Sequence, residues 1–151
     1  PPQMCITDSK GIDVSSKSIR LSNRNDKKLS IYNRVKVIKT DVDNFGIGKY
    51  DLIISNPPYI KTNELKYLEK DVNHFEPKLD LDGGLDGTFK TYKIIKKASN
   101  LLKVNGKLVL EIAYDQRTKI IGLLKKEGFY INSTIKDYAK NDRCVISTKI
   151  I

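Results

Sequence analysis

An apolar run that stops against two prolines constrains this chain more than any other feature. Tyr50-Asp51-Leu52-Ile53-Ile54-Ser55 reads as a strand, and Asn56-Pro57-Pro58-Tyr59 follows it without a spacer. Proline has no N–H for a sheet ladder and its ring fixes φ, so a strand that meets two prolines in a row must end there. A short apolar run bounded in this way marks a buried strand of a sheet covered by helices.

The rest of the chain fits that frame. Gly11-Ile12-Asp13-Val14 is a first short strand, and Ser15-Ser16 supply hydroxyl caps for a polar helical stretch reaching about Leu29. Val35 to Ile38 forms a second strand that ends in Thr40-Asp41. Lys61 to Gly87 reads as a long functional loop, with a short helix around Glu64 to Lys70 and a turn-rich Gly83-Gly84-Leu85-Asp86-Gly87. Phe89, Tyr92, Ile95, Ala98 and Leu102 then recur at helical spacing and lead into a strand from Lys107 to Ala113. A further helix spans Gln116 to Glu127, with Gly128 as its left-handed stop. Two alternating segments close the chain, one through Phe129, Ile131 and Ile135, the other through Cys144, Ile146, Thr148 and Ile150. The order predicts an α/β fold, a doubly wound, Rossmann-like sheet with a C-terminal antiparallel pair. Ligands gather at the carboxyl ends of the strands in such sheets, where Asp13, Asp41 and Asn56 all fall.

Composition narrows the function. At 151 residues and 39% hydrophobic content, a single domain over residues 1–151 is expected. The apolar runs fall far short of the roughly 18 residues that cross a bilayer, so a soluble, cytoplasmic chain with no membrane partner is expected. Cys5 and Cys144 lack the spacing of a zinc site, and His74 is the only histidine, so neither a metal centre nor a Ser-His-Asp hydrolase is supported. The formal charge of +10 suits a nucleic-acid partner. Its lysines are scattered rather than gathered in one arm, however, which favours a solvated surface.

Chemistry concentrates at Asn56-Pro57-Pro58-Tyr59. An amide or exocyclic amino nitrogen is a poor nucleophile because its lone pair is delocalised. If the Asn56 side-chain oxygen and the Pro57 carbonyl each accept one N–H, the nitrogen is held and its lone pair can turn toward a methyl donor. Proline fixes the second acceptor, and Tyr59 can cover a flat group by stacking. The bland alternative is a plain strand terminator. Asp13 is placed to accept the ribose hydroxyls of a nucleoside, or else to cap the following helix. Asp41 is placed to meet an adenine amino group with Val42 beneath the ring, or else to make a turn. Gly83 to Gly87 lacks the Lys-Ser/Thr of a phosphate loop and reads as a mobile loop.

These segments together resemble the release factor glutamine methyltransferases. The likeness is carried by Arg34-Val35 through Asp41, Asp51 through Ile60, Phe75-Glu76-Pro77, Gly83 through Gly87, Leu110-Glu111-Ile112 with Gln116, Lys136-Asp137, and Asp142-Arg143. Asn-Pro-Pro-Tyr alone also resembles enzymes that methylate adenine in DNA or RNA, which leaves an adenine-N6 methyltransferase as the alternative. The resemblance implies transfer of methyl from S-adenosyl-L-methionine to the glutamine side chain in the Gly-Gly-Gln loop of peptide chain release factors. It implies that Asn56, Pro57, Pro58 and Tyr59 hold the glutamine and that Asp13, Val42 and Asn56 contact the cofactor. Such proteins also carry an N-terminal helical domain, a first strand and a glycine-rich cofactor loop. Only twelve residues precede Asp13, whereas a strand, loop and crossover helix need about 30. Met4-Cys5-Ile6-Thr7 can fill only part of that gap. The chain is therefore expected to lack its first strand and helix, to need a missing N-terminal half as a partner, or to be a non-catalytic fragment.

Overall fold

The computed structural model describes residues 9–64 and 82–151. Met4 to Thr7, the bulk of the expected Glu64 to Lys70 helix, His74 and Phe75-Glu76-Pro77 lie outside them. The chain divides into two compact units, Pro1–Gly46 and Ile47–Ile151.

In the first unit, β1 (Ser9–Asp13), α1 (Ser16–Lys28) and β2 (Val35–Lys39) make a strand-helix-strand motif with the strands parallel, Ser9 beside Val35 and Asp13 beside Lys39. Ser15 caps α1 by accepting the Ser18 N–H at 3.3 Å, as its position before the polar helix predicts. The strand ends at Asp13 rather than Val14, because the Ser15 N–H donates to Asp13 Oδ1 at 2.6 Å and turns the chain out of the ladder. The Thr40 N–H donates to the Asp13 carbonyl at 3.0 Å and ties the two carboxyl ends together. Val42–Asn44 then forms a short 3-10 turn.

The second unit holds β3 (Tyr50–Ser55), α2 (Phe89–Leu101), β4 (Leu102–Glu111), α3 (Arg117–Lys126), β5 (Phe129–Lys136) and β6 (Asp142–Lys149). The sheet order is β3-β4-β6-β5, with β3 and β4 parallel and both pairs involving β6 antiparallel. Alternate residues of β4, Leu108 and Leu110, are fully buried, and with Ile112 they pack against Ile95 and Ala98 of α2 and Ile120 and Leu124 of α3. Each such side chain contributes about 1.5–3 kcal/mol on leaving water, so β4 is the spine of this unit. Ile53 faces the same core, while Leu52 and Ile54 point the other way and are exposed. β4 begins at Leu102, earlier than the expected Lys107. Tyr50 pairs with Leu102 but Leu52 with Lys107, so the chain between bulges, with Asn105 at φ 67°.

Every expected strand and helix outside the undescribed residues forms, in the expected order. The described strands make two sheets rather than one continuous ladder.

Candidate active site

Asp13 and Asp41 of the first unit lie where the strand pattern puts them, at the carboxyl ends of parallel strands. Asp41 makes the turn that the bland reading assigned to it, whereas Asp13 makes a turn with Ser15 and leaves the capping of α1 to Ser15. Asp13 Oδ1 accepts from Ser15, and Asp41 Oδ1 accepts the Asp43 N–H at 2.8 Å, opening the 3-10 turn that begins at Val42. Each turn therefore leaves one carboxylate oxygen, Oδ2, without a hydrogen-bond partner among the described residues.

In the second unit the chain leaves β3 at Asn56, which is exposed, and enters a buried Pro57. Among the described residues neither the Asn56 carboxamide nor the Pro57 carbonyl has a hydrogen-bond partner. The next carbonyls are committed. Tyr59 O accepts from Gln116 Nε2 at 3.3 Å, and Ile60 O accepts the Gly83 N–H at 2.7 Å.

Gly83-Gly84-Leu85-Asp86-Gly87 makes the second of those contacts, so the segment expected to be a mobile loop is a hydrogen-bonded brace. Thr62 N–H donates to Gly84 O at 3.1 Å, and Gln116 Nε2 bridges Tyr59 O and Gly87 O, the latter at 3.0 Å. A Cβ on Gly87 would lie 2.5 Å from Tyr59 O, and one on Gly83 would lie 2.9 Å from Pro58 O. Only glycine lets this backbone approach so closely. Asp86 closes the far side. Lys119 and the N–H and hydroxyl of Thr88 all donate to it and hold its carboxyl well below the usual carboxylate range. Asp82 is lowered too, through the Thr62 hydroxyl and then the Gly84 N–H.

Beside Asn56 a cleft of about 460 Å³ opens. Ile54 and Val109 form its apolar wall, and Ser55, Asn56, Glu111, Arg143 and Cys144 complete it. The register explains the grouping, since β4 carries Glu111 next to Cys144 of β6 and Leu110 next to Ser55 of β3. Arg143 Nε donates to Asp137 Oδ2 at 2.9 Å, and Asp137 Oδ1 accepts the Asn141 N–H at 2.9 Å. The pair holds the Asp137 carboxyl below and the Arg143 guanidinium above their usual values. Burial pushes the Cys144 thiol up, and Glu111 adds to it. Among the described residues no cluster of His, Cys, Asp and Glu could hold a metal ion, and no helix is long and apolar enough to cross a membrane.

A family model described as Eco57I restriction-modification methylase matches residues 6–118. The chain belongs to that methylase family. Among curated proteins the methylase is 35% identical over 140 residues to a release factor glutamine methyltransferase of Clostridium acetobutylicum, covering 91% of this chain and 49% of the relative. It is 39% identical over 145 residues to one from Fusobacterium nucleatum, covering 93% and 40%. The resemblance seen in the motifs thus holds across the chain, which spans about half the length of the curated relatives it matches. A methyltransferase structure from Pyrococcus furiosus superposes with a TM-score of 0.67 at 22% identity, covering 95% of this chain and 64% of that one. That likeness shows the fold, a Rossmann-like α/β fold as the strand order predicts.

Sequence reasoning placed Asn56 to Tyr59, Asp13, Asp41 and Val42 in the site. It gave no role to Gly83, Gly87, Gln116, Glu111, Asp137 or Arg143, although all six stand in the segments that carry the resemblance. Their position inside those segments was the available signal.

Proposed function

We propose that the protein transfers a methyl group from S-adenosylmethionine to the side-chain nitrogen of glutamine in the Gly-Gly-Gln loop of peptide chain release factors. The observation that carries this reading is the pair of acceptors at the end of β3 that have no partner among the described residues, the Asn56 carboxamide and the Pro57 carbonyl; Asn56 lines a cleft, and the carbonyls that follow are tied down. A primary amide has two N–H donors in one plane, and two fixed acceptors suit it. Holding both turns the nitrogen lone pair outward and stabilises the positive charge that develops as the new bond forms.

The residues of the first unit suit the cofactor by their chemistry. Ribose hydroxyls and an adenine amino group are donors, and the free oxygens of Asp13 and Asp41 are acceptors. Asp13 is assigned the ribose and Asp41, with Val42, the adenine. Asn56 is the residue assigned to both cofactor and substrate. When bound, S-adenosylmethionine supplies a methyl group on a positively charged sulfur. Release factors as substrate also imply work in the cytoplasm, where translation occurs.

A second reading, methylation of an adenine amino group in DNA or RNA, is favoured by the description of the family model and by the +10 charge. One assay separates them. The purified protein is given labelled S-adenosylmethionine with release factor, DNA and RNA side by side. Label is expected on the release factor glutamine, located by mass spectrometry; label confined to nucleic acid overturns the glutamine reading.

A further inference from the structure

We propose that Arg143 and Glu111 anchor the main chain of the acceptor, so that the site recognises a peptide bond beside the methylated glutamine as well as its side chain. This rests on the glutamine reading above. The cleft beside Asn56 is about 460 Å³, while a carboxamide fills only roughly 60 Å³, twice the share of one water. The cleft therefore has room for more than the amide alone.

The remaining polar groups say what. Arg143 and Glu111 both line the cleft, yet no ion pair within 4 Å joins them and Glu111 makes no hydrogen bond among the described residues. Arg143 commits only its Nε, to Asp137, and its two terminal amino groups have no partner among the described residues. Asp137 is itself held by Asn141, so the guanidinium is aimed before anything binds. A fixed fork of donors and a carboxylate acceptor, separated within one cleft, match the C=O and N–H that point opposite ways from a peptide chain. A nucleotide offers a phosphate instead, which Glu111 repels. The apolar wall of Ile54 and Val109 leaves room for flanking residues with little or no side chain.

The test compares two acceptors under steady-state methyl transfer, a Gly-Gly-Gln peptide and propionamide, a bare carboxamide. Arg143→Lys keeps a cation beside Asp137 but loses the fork, and Glu111→Gln keeps the shape but loses the charge. Each is expected to lower the peptide-over-propionamide preference in kcat/KM about tenfold, through a raised KM for peptide. Asp137→Asn, acting through Arg143, is expected to move KM the same way. A merely structural role lowers both acceptors together and leaves the preference intact, and that result in the two folded variants overturns the anchor while the glutamine reading stands. Wild-type protein that methylates no glutamine acceptor overturns both.

Discussion

A carbonyl oxygen that already accepts a hydrogen bond is a weaker partner for a newcomer, so the division of labour from Asn56 to Ile60 has a chemical meaning. Tyr59 and Ile60 spend their carbonyls on Gln116 and Gly83, while Asn56 and Pro57 keep theirs. If Asn56 orients the acceptor nitrogen, Asn56→Ala is expected to lower kcat about a hundredfold or more, in line with the ~2.7–4 kcal/mol lost on removing one preorganised transition-state hydrogen bond. Labelled methyl transfer at saturating acceptor measures it, and an unchanged kcat removes Asn56 from the chemistry. These residues were legible because strand, proline and asparagine are adjacent in sequence. Arg143 and Glu111 were not, since only the β4–β6 register, with Glu111 opposite Cys144, brings them to one cleft. At Asp13 and Asp41 the turn consumes one carboxylate oxygen, which leaves the other for the ligand role proposed above.

Between residue and fold stands the brace made by Gly83 to Gly87, and its worth is testable by closing the gap it leaves. Gly87 sits at φ +72° with no room for a Cβ against Tyr59 O. Gly87→Ala is expected to push the Asn56–Tyr59 turn out of place and lower kcat at least tenfold, at a stability cost of about 1–2 kcal/mol. Activity and urea melts on the same preparation separate the two effects. A stability loss with unchanged kcat shows that the brace does not position the turn. Acid should loosen the same element. Asp86 has a folded pKa below the unfolded value of about 3.9, so its contribution is fully present above that pH and drains away as pH falls toward the folded value. The difference in urea midpoint between wild type and Asp86→Asn is therefore expected to be largest near neutral pH and to shrink steadily below pH 4. A difference that is constant with pH denies Asp86 this role. The sequence read this element as a mobile loop because turn residues alone carry no sign of their partners. Gln116, 29 residues beyond Gly87, makes the decisive contacts.

At the scale of the whole chain, element order and the C-terminal antiparallel pair were legible, and the place of β6 in the sheet was not. Hydrophobic periodicity is local, and it yielded each helix and strand. The order β3-β4-β6-β5 depends on which strands meet through space, and β6 inserts between β4 and β5 although β5 precedes it in sequence. The two units also differ in core. The fully buried cluster of Ile95, Leu108, Leu110, Ile120, Leu124 and Val145 belongs to the second, whereas among the described residues of the first only Phe45 is buried. Hydrophobic burial is the main favourable term in folding, so residues 47–151 should have enough core to fold alone. Expressed by themselves they are expected to melt in one cooperative transition by circular dichroism. Leu110→Ala, which empties the centre of that cluster, is expected to cost about 2–5 kcal/mol. A gradual, non-cooperative loss of signal from residues 47–151, insensitive to Leu110→Ala, would mean that this cluster cannot hold the unit together by itself and that Asn56 owes its setting to the rest of the chain.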